Sequence, residues 1–185
     1  MKTFISILAM LSAMVVTSVQ AEKAPDSVQR VIPAINKLAS DPALIAAVEK
    51  QNAQQLTLDQ IKSRDAAWRK VTGVDDFMTS LLNNDAAKAM LAFEKIQPYY
   101  FEIFLMDNQG ANVAMTNKTS DYWQGDEAKW QKTFKVGPDA VHLSEVEFDD
   151  SAQAYLVQVS VPVVSNGKAI GALTVGINLD ELERN

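Results

Sequence analysis

The chain has 185 residues, no cysteine and a formal net charge of −6 at pH 7. Its length suits one domain whose core needs no covalent staples, and the absence of cysteine excludes disulfides, thiolate metal sites and a cysteine nucleophile. Because the chain is acidic and contains no basic run, nucleic acid and anionic membrane surfaces are poor partners.

The N-terminus is typical of a secretory signal peptide. Lys2 supplies a positive charge, Phe4 to Val16 form an apolar segment, and Val19-Gln20-Ala21 resembles a cleavage site. The apolar segment is shorter than the about 20 residues that a membrane-spanning helix needs. We therefore expect residues 1–21 to be removed, which leaves a soluble periplasmic protein beginning at Glu22. An uncleaved N-terminus that anchors the chain in the inner membrane is the alternative.

Residues 22–97 are predicted to form a helical region. Ser40-Asp41-Pro42 and the pair Thr57 and Gln60 are helix-start signals. Two further helical segments, 75–83 and 85–96, follow them. An apolar stripe near the start keeps helical spacing and is longer than one sheet face needs, which favours a homodimer along these helices. The stripe consists of Val28, Val31, Ile35 and Leu38.

After Pro98 the hydrophobic period changes to two, which predicts β-strands. The predicted strands are 99–106, 111–116, 141–148, 154–164 and 169–178. Residues 107–110 and 165–168 have the composition of tight turns, and 126–134 forms a helical crossover between the second and third strands. Helices followed by this strand order predict an α+β domain with a five-stranded antiparallel sheet.

Catalytic signatures are missing from the sequence. His142 is the single histidine and lies in a predicted strand without metal-ligand spacing. The sequence contains neither a G-x-S-x-G elbow, a glycine-rich phosphate loop nor an HExxH motif. We therefore predict a protein that is not an enzyme and carries no cofactor or metal.

Two motifs in the second half carry a resemblance to a known family. These are the turn Asp107-Asn108-Gln109-Gly110 and the run FDDSAQAYLVQVSVPVVSNGKAIGALTVGINLDEL, residues 148–182. Together they resemble the Cache, or PAS-like (PDC), extracytoplasmic sensor domain, over about residues 28–183. The resemblance implies one Cache-type domain in which the helical region 22–97 packs on a PAS-like sheet, 98–185. It also implies a small molecule bound between the sheet and the crossover.

The segment TSDYWQGDEAKW, residues 119–130, resembles part of the ligand motif of amino-acid-binding Cache domains. Asp121-Tyr122 is similar to its first element, Trp130 to its tryptophan, and Asp149 to its amine-binding aspartate. Trp123 stands where an arginine is expected, and the carboxylate-clamping arginine has no counterpart. The implied ligand is therefore an amine, a quaternary ammonium, an amino-acid-like molecule or a neutral ring.

The predicted ligand site combines this segment with the first hairpin and the third strand. Its residues are Tyr100, Met115, Asp121, Tyr122, Trp123, Trp130 and Asp149. Structural roles are the alternative for two of them, since Trp130 with Phe134 is spaced to attach the crossover to the sheet and Asp149 can shape a turn. Trp68 belongs to a helical stripe and is assigned to the core.

Two functions are consistent with these features. The first is a soluble periplasmic sensor that binds a small molecule and passes ligand occupancy to a membrane-bound receptor or kinase. The second is an adaptor or inhibitor of an envelope complex that has kept the fold and lost the ligand. A ligand that stabilises the folded protein would favour the first.

Overall fold

The computed structural model describes residues 23–150 and 152–185. The predicted signal peptide, its cleavage site and the expected start at Glu22 lie outside the described residues. Within them the protein consists of helices packed on an antiparallel sheet, as the sequence predicted.

Helices α2 and α3 begin where the sequence signals place them, whereas the crossover helix is shorter than the predicted 126–134. A 3₁₀ helix, Asp26–Val31, leads into α1, and the other helices are α2 to α7. The bounds are α1 Ile32–Ala39, α2 Pro42–Asn52, α3 Leu58–Trp68, α4 Asp76–Asn83, α5 Asp85–Glu94, α6 Ala128–Gln131 and α7 Leu179–Arg184. Asp41 caps α2, and Thr57 with Gln60 forms a capping box at α3. Pro33 is tolerated because the change from 3₁₀ to α-helix puts it in the first turn of α1.

The sheet has six strands rather than the predicted five. They are β1 Tyr100–Met106, β2 Asn112–Met115, β3 His142–Leu143, β4 Glu147–Asp149, β5 Ala154–Ser165 and β6 Lys168–Asn178. Their order is β2-β1-β6-β5-β3, and β4 also pairs with β5. The predicted strand 141–148 is divided because the Ser144 hydroxyl accepts a hydrogen bond from the Gln158 amide at 2.8 Å, in the gap between β3 and β4.

One face of the sheet is covered by α1, α2, α5 and α7. Val157, Val159, Val161 and Val163 of β5 point to this face and share a core with these helices. The predicted dimerisation stripe belongs to the same core, and none of its side chains is more than 7% exposed. The stripe is therefore interior, and it does not supply the surface on which the homodimer was predicted.

The opposite face is covered by the crossover and by α3 and α4. Phe104, Met106 and Met115 of the strands pack there with Tyr122 and Trp130.

Of the described helices, none alone has the length and hydropathy to cross a membrane. The one described pair that meets both criteria together, Asp26–Ala39 with Pro42–Asn52, is bent by 64°.

Candidate functional site

The crossover is fastened to the turn between β1 and β2. Gly110 has a φ of 84°, and a Cβ there would overlap the backbone of Gly125, so the turn and the crossover approach as closely as glycine permits. The Gln124 amide donates to the Gly110 carbonyl at 2.7 Å, and the Asn112 amide donates to the Tyr122 carbonyl at 2.9 Å. The crossover thus continues the hydrogen bonding of the sheet edge.

Two tryptophans strengthen this attachment. The indole N–H of Trp123 donates to the Gln109 carbonyl at 2.8 Å, and that of Trp130 donates to the Asp107 carbonyl at 3.0 Å. Trp130 is also stacked on Phe134, with ring centroids 5.1 Å apart. Both indole N–H groups therefore bind the main chain of the turn between β1 and β2.

Asp65 of α3 fixes the crossover from the other side. One oxygen of this buried carboxylate accepts from the amides of Tyr122 and Trp123, at 2.9 and 3.1 Å. The other oxygen pairs with Arg69 at 2.8 Å, and Arg69 also pairs with Asp121 at 3.1 Å. The crossover is consequently anchored both to the sheet and to α3.

Beneath the anchored crossover lies a cavity of about 250 Å³. The sheet provides its floor with Glu102, Phe104 and Gln158, and Asp149 of β4 stands at its rim. The roof is formed by the crossover residues Lys118, Thr119, Ser120, Gln124 and Lys129. The cavity therefore lies between the sheet and the crossover, where the family resemblance placed a ligand.

Glu102 brings a carboxylate into the floor of this cavity. Gly176 on β6 leaves the room for it, since a Cβ at Gly176 would lie 2.7 Å from the Glu102 Cγ. Burial raises the pKa of Glu102, while a hydrogen bond from Gln158, at 3.0 Å, and the charge of Lys129 act against the rise. The site thus holds a carboxylate that lacks the solvation it would have in water.

Among the described residues, neither lysine of the roof forms an ion pair with Glu102. Lys129 pairs with Glu127 at 2.8 Å, and its ammonium lies 5.2 Å from the centre of the Phe104 ring. The Lys118 ammonium donates to the carbonyls of Val71 and Gly73, both at 2.8 Å. Glu102 and Asp149 therefore carry the negative charge that faces the cavity.

The predicted site residues divide into three groups. Asp149 lines the cavity, and one of its oxygens accepts from the Ala152 amide at 2.8 Å, so it also shapes the turn after β4. Met115, Tyr122 and Trp130 are buried together in the core beside the cavity, where Trp123 packs against them half-buried. Tyr100 and Asp121 form the third group and belong neither to the cavity nor to this core.

Two of these placements correct the expected site. Tyr100 packs on Phe93 at the face covered by the N-terminal helices, so it does not face the same pocket as Met115. A β-bulge between Tyr100 and Glu102 shifts the register and reverses the expected orientation. Asp121 points to Arg69 rather than into the cavity, which does not include it.

Sequence reasoning missed Glu102, Phe104 and Gln158. Strand alternation could have found the first two, because Glu102 shares a face with Phe104 and interrupts the otherwise apolar run of β1. Gln158 occupies the equivalent position among the valines of β5. Within residues 23–150 and 152–185, no cluster of three or more His, Cys, Asp or Glu side chains could hold a metal ion.

Several solved sensor domains are similar to this chain. The ligand-binding domain of the Campylobacter jejuni chemoreceptor Tlp3, in complex with 4-methylisoleucine, is 12% identical, with a TM-score of 0.43 over 86% of this chain and 63% of that one. The sensor domain of the V. cholerae histidine kinase DctB is also 12% identical, with a TM-score of 0.42 over 85% and 54%. The ligand-binding domain of the Pseudomonas aeruginosa PAO1 amino acid chemoreceptor PctC, in complex with GABA, is 13% identical, with a TM-score of 0.40 over 85% and 64%.

The chain spans less than two thirds of the length of each of these structures. A search of curated protein sequences finds no significant match. A model of one protein family, however, matches residues 74–184, which include α4, α5 and the whole sheet. That family comprises ligand-binding sensor domains rather than catalytic ones. The chain belongs to it: the methyl-accepting chemotaxis protein-like family, first PDC sensor domain, a Cache-type extracytoplasmic fold.

Proposed function

We propose that the protein is a periplasmic sensor that binds a small amine in the cavity between the sheet and the crossover. The observation that carries the proposal is the pair of carboxylates, Glu102 and Asp149, that lines this cavity, while Lys129 of the roof is ion-paired with Glu127. A protonated amine or a quaternary ammonium would restore the interactions that the Glu102 carboxylate loses on burial.

The ring of Phe104 supports the same ligand class. It lines the cavity, and the Lys129 ammonium 5.2 Å from its centre is an example of a cation that the ring attracts there. In this proposal Asp149 and Glu102 contact the ligand. Met115, Tyr122, Trp123 and Trp130 act indirectly by holding the roof in place, and Tyr100 and Asp121 support the fold.

Ligand occupancy would be passed on through the anchored crossover. The crossover is tied to α3 through Asp65, and the turn before β2 is tied to α2 through a hydrogen bond from Gln51 to Asp107 at 2.9 Å. A shift of the roof on ligand binding therefore changes contacts on two helices. We propose that a membrane-bound receptor or kinase contacts α2 or α3 and responds to this change.

Calorimetry with a panel of small amines tests the binding step, with the matching alcohols as neutral controls. We expect amines and not alcohols to bind, and Glu102→Gln and Asp149→Asn to weaken binding by about tenfold or more, because each removes one charge-assisted contact. Asp150→Asn is the matched control, since Asp150 is exposed and lies outside the cavity. Equal affinity for amines in all variants would contradict the proposal.

The proposed location has its own test. We expect the protein in the periplasmic fraction with Glu22 as its first residue, because residues 1–21 have the features of a signal peptide. N-terminal sequencing of fractionated cells measures this. Recovery in the membrane pellet with residues 1–21 intact would favour the anchored alternative.

A ligand-free adaptor is the second candidate, and an exposed aromatic pair favours it. Phe148 and Tyr155 form a T-shaped contact across β4 and β5 and remain 51% and 53% exposed. Large exposed aromatic side chains are enriched at protein interfaces. If the whole amine panel fails to bind while Phe148→Ser disrupts a complex of the envelope, the adaptor function replaces the sensor function.

A further inference from the structure

A second concave site lies among the helices beside β2. It is a groove of about 550 Å³ bounded by α2, by Arg64 of α3, by α4, by the start of α5 and by Val113 of β2. None of the residues that line it lines the cavity under the crossover. Its volume falls within the about 300–1,000 Å³ that is usual for small-molecule sites.

The groove carries positive charge in an acidic protein. Lys50 and Arg64 both line it, and among the described residues neither forms an ion pair. The carboxylate that lines the groove, Asp85, is itself paired with Lys88 at 2.9 Å. An anion in the groove would therefore meet two cations that are not ion-paired with any carboxylate in residues 23–150 or 152–185.

Arg64 is held in position by aromatic rings. The carbon at the centre of its guanidinium group lies 4.3 Å from the centre of the Phe77 ring and 5.6 Å from that of Tyr122. A guanidinium that rests on a ring still presents the N–H groups of its edge, which match the two oxygens of a carboxylate. The stacking therefore orients the guanidinium group without neutralising its charge.

Tyr122 lies beside Arg64 but does not line the groove. Its side chain is fully buried. Burial raises the pKa of its hydroxyl, while a hydrogen bond with Arg64 and the charge of Arg64 act against that rise. Tyr122 therefore helps to position Arg64 and is not itself a contact for a bound group.

The rest of the groove is apolar. Ala43, Ala47, Leu81 and Val113 contribute small or branched hydrocarbon surface. A ligand that fits both parts has a carboxylate at one end and a compact apolar body at the other. Inorganic anions would leave the apolar surface uncovered, and neutral hydrocarbons would leave the two cations unpaired.

We propose that this groove is a second binding site, which takes a small organic carboxylate through Arg64 and Lys50. The site goes beyond the proposed amine cavity and does not depend on it. It would give the protein an input at Arg64, the residue next to Asp65, which anchors the crossover.

Benzoate is a suitable probe, with benzyl alcohol as its neutral counterpart. We expect benzoate to bind with a Kd of about 1 mM, a usual value for a ligand of this size, and benzyl alcohol to bind much more weakly. Heteronuclear NMR should show the largest benzoate-induced shifts at Val113 and Ala47. No binding at about 10 mM, or shifts confined to the cavity under the crossover, would overturn the proposal.

Substitutions then separate a binding role from a structural one. Arg64→Gln should lower benzoate affinity by about tenfold and Lys50→Gln by a smaller factor, because the arginine alone can form a paired contact. Lys70→Gln is the control, an exposed cation that does not line the groove. Arg64→Lys keeps the charge and should restore part of the affinity.

The amine cavity provides the last control. Glu102→Gln should leave benzoate binding unchanged, and Arg64→Gln should leave amine binding unchanged, so the failure of one site is distinguishable from the failure of the other. Unchanged benzoate affinity in folded Arg64→Gln would refute the groove as the site.

Discussion

On the face covered by the N-terminal helices, β1, β5 and β6 present apolar side chains, whereas on the face under the crossover the same strands present Glu102, Gln158, Ser160 and Thr174. Both faces are enclosed, so exposure to solvent does not explain the difference. Buried polar groups cost free energy unless they are paired. Ser160 and Thr174 pair with each other at 2.9 Å, and Gln158 pairs with Glu102.

The two faces of the sheet therefore have different roles. The apolar face holds the helices, and the polar face combines a packed part around Trp130 with a cavity around Glu102. The aromatic side chains of the predicted ligand site, Tyr122, Trp123 and Trp130, belong to the packed part. The residues of the cavity itself are less conspicuous in the sequence.

Removal of Trp130 tests whether the crossover face is held by packing. We expect Trp130→Ala to lower the free energy of unfolding by about 3–5 kcal/mol, because it deletes a buried ring and its hydrogen bond to the Asp107 carbonyl. Trp123→Ala should cost less, since that ring is half-buried. Chemical denaturation measures both, and equal effects would remove the distinction between a core ring and a peripheral ring.

Removal of the anchor on α3 should have the next largest effect. Asp65→Asn should destabilise the protein by about 2 kcal/mol, because a charged acceptor of two amide hydrogen bonds and an ion pair with Arg69 are lost. Asp59→Asn, on the exposed face of the same helix, is the matched control and should cost a few tenths of a kcal/mol at most. If both variants unfold alike, the crossover does not depend on α3.

The sequence predicted the fold class, the capped helices and the strand order because these features follow from local signals such as the Thr57–Gln60 box and the alternation of β5. It failed where the outcome depends on register or on long-range contacts. The bulge at Tyr100 directs that side chain to the face covered by the N-terminal helices. Asp121 forms an ion pair with Arg69, which is distant in the sequence. Of the predicted site residues, Asp149 alone lines the cavity.

Glu102 tests the cost of the polar face, because its buried carboxylate should lower the free energy of unfolding at pH 7. Its pKa is raised in the folded protein, so at pH 7 the ionised carboxylate is less favourable there than in the unfolded chain. Glu102→Gln should therefore raise the free energy of unfolding at pH 7 by about 1 kcal/mol, the usual size of a single-residue effect, while it weakens amine binding. Exposed Glu147→Gln should change neither quantity.

The pH dependence of the wild-type protein gives the sign of this effect. As the pH falls from 7 toward 4.5, the ordinary pKa of glutamic acid, folded Glu102 takes up its proton before the unfolded chain does, so its cost disappears. The stability advantage of Glu102→Gln should shrink over the same interval. An advantage that does not change with pH would mean that a cause other than the buried charge produced it.

His142 should give the smallest effect, with the opposite sign. Burial lowers its pKa below the ordinary 6.5, and the charges of Lys132 and Lys129 lower it further. The unfolded chain therefore binds a proton at a higher pH than the folded protein, and stability should decrease as the pH falls below about 6.5. In His142→Gln this part of the decrease should be absent.

The His142 effect also tests the edge of the polar face. His142 pairs with Ser160 across β3 and β5, so protonation weakens the edge strand next to the polar side chains and leaves the helix-covered face unchanged. Between pH 7 and pH 5.5, the free energy of local opening, taken from hydrogen exchange corrected for the slower intrinsic rate at low pH, should therefore fall at β3 before it falls at β1 or β6. Since β3 pairs with β5 through two residues alone, a small loss of stability is enough to open it. Uniform exchange across the sheet would mean that the two faces respond to acid as one unit.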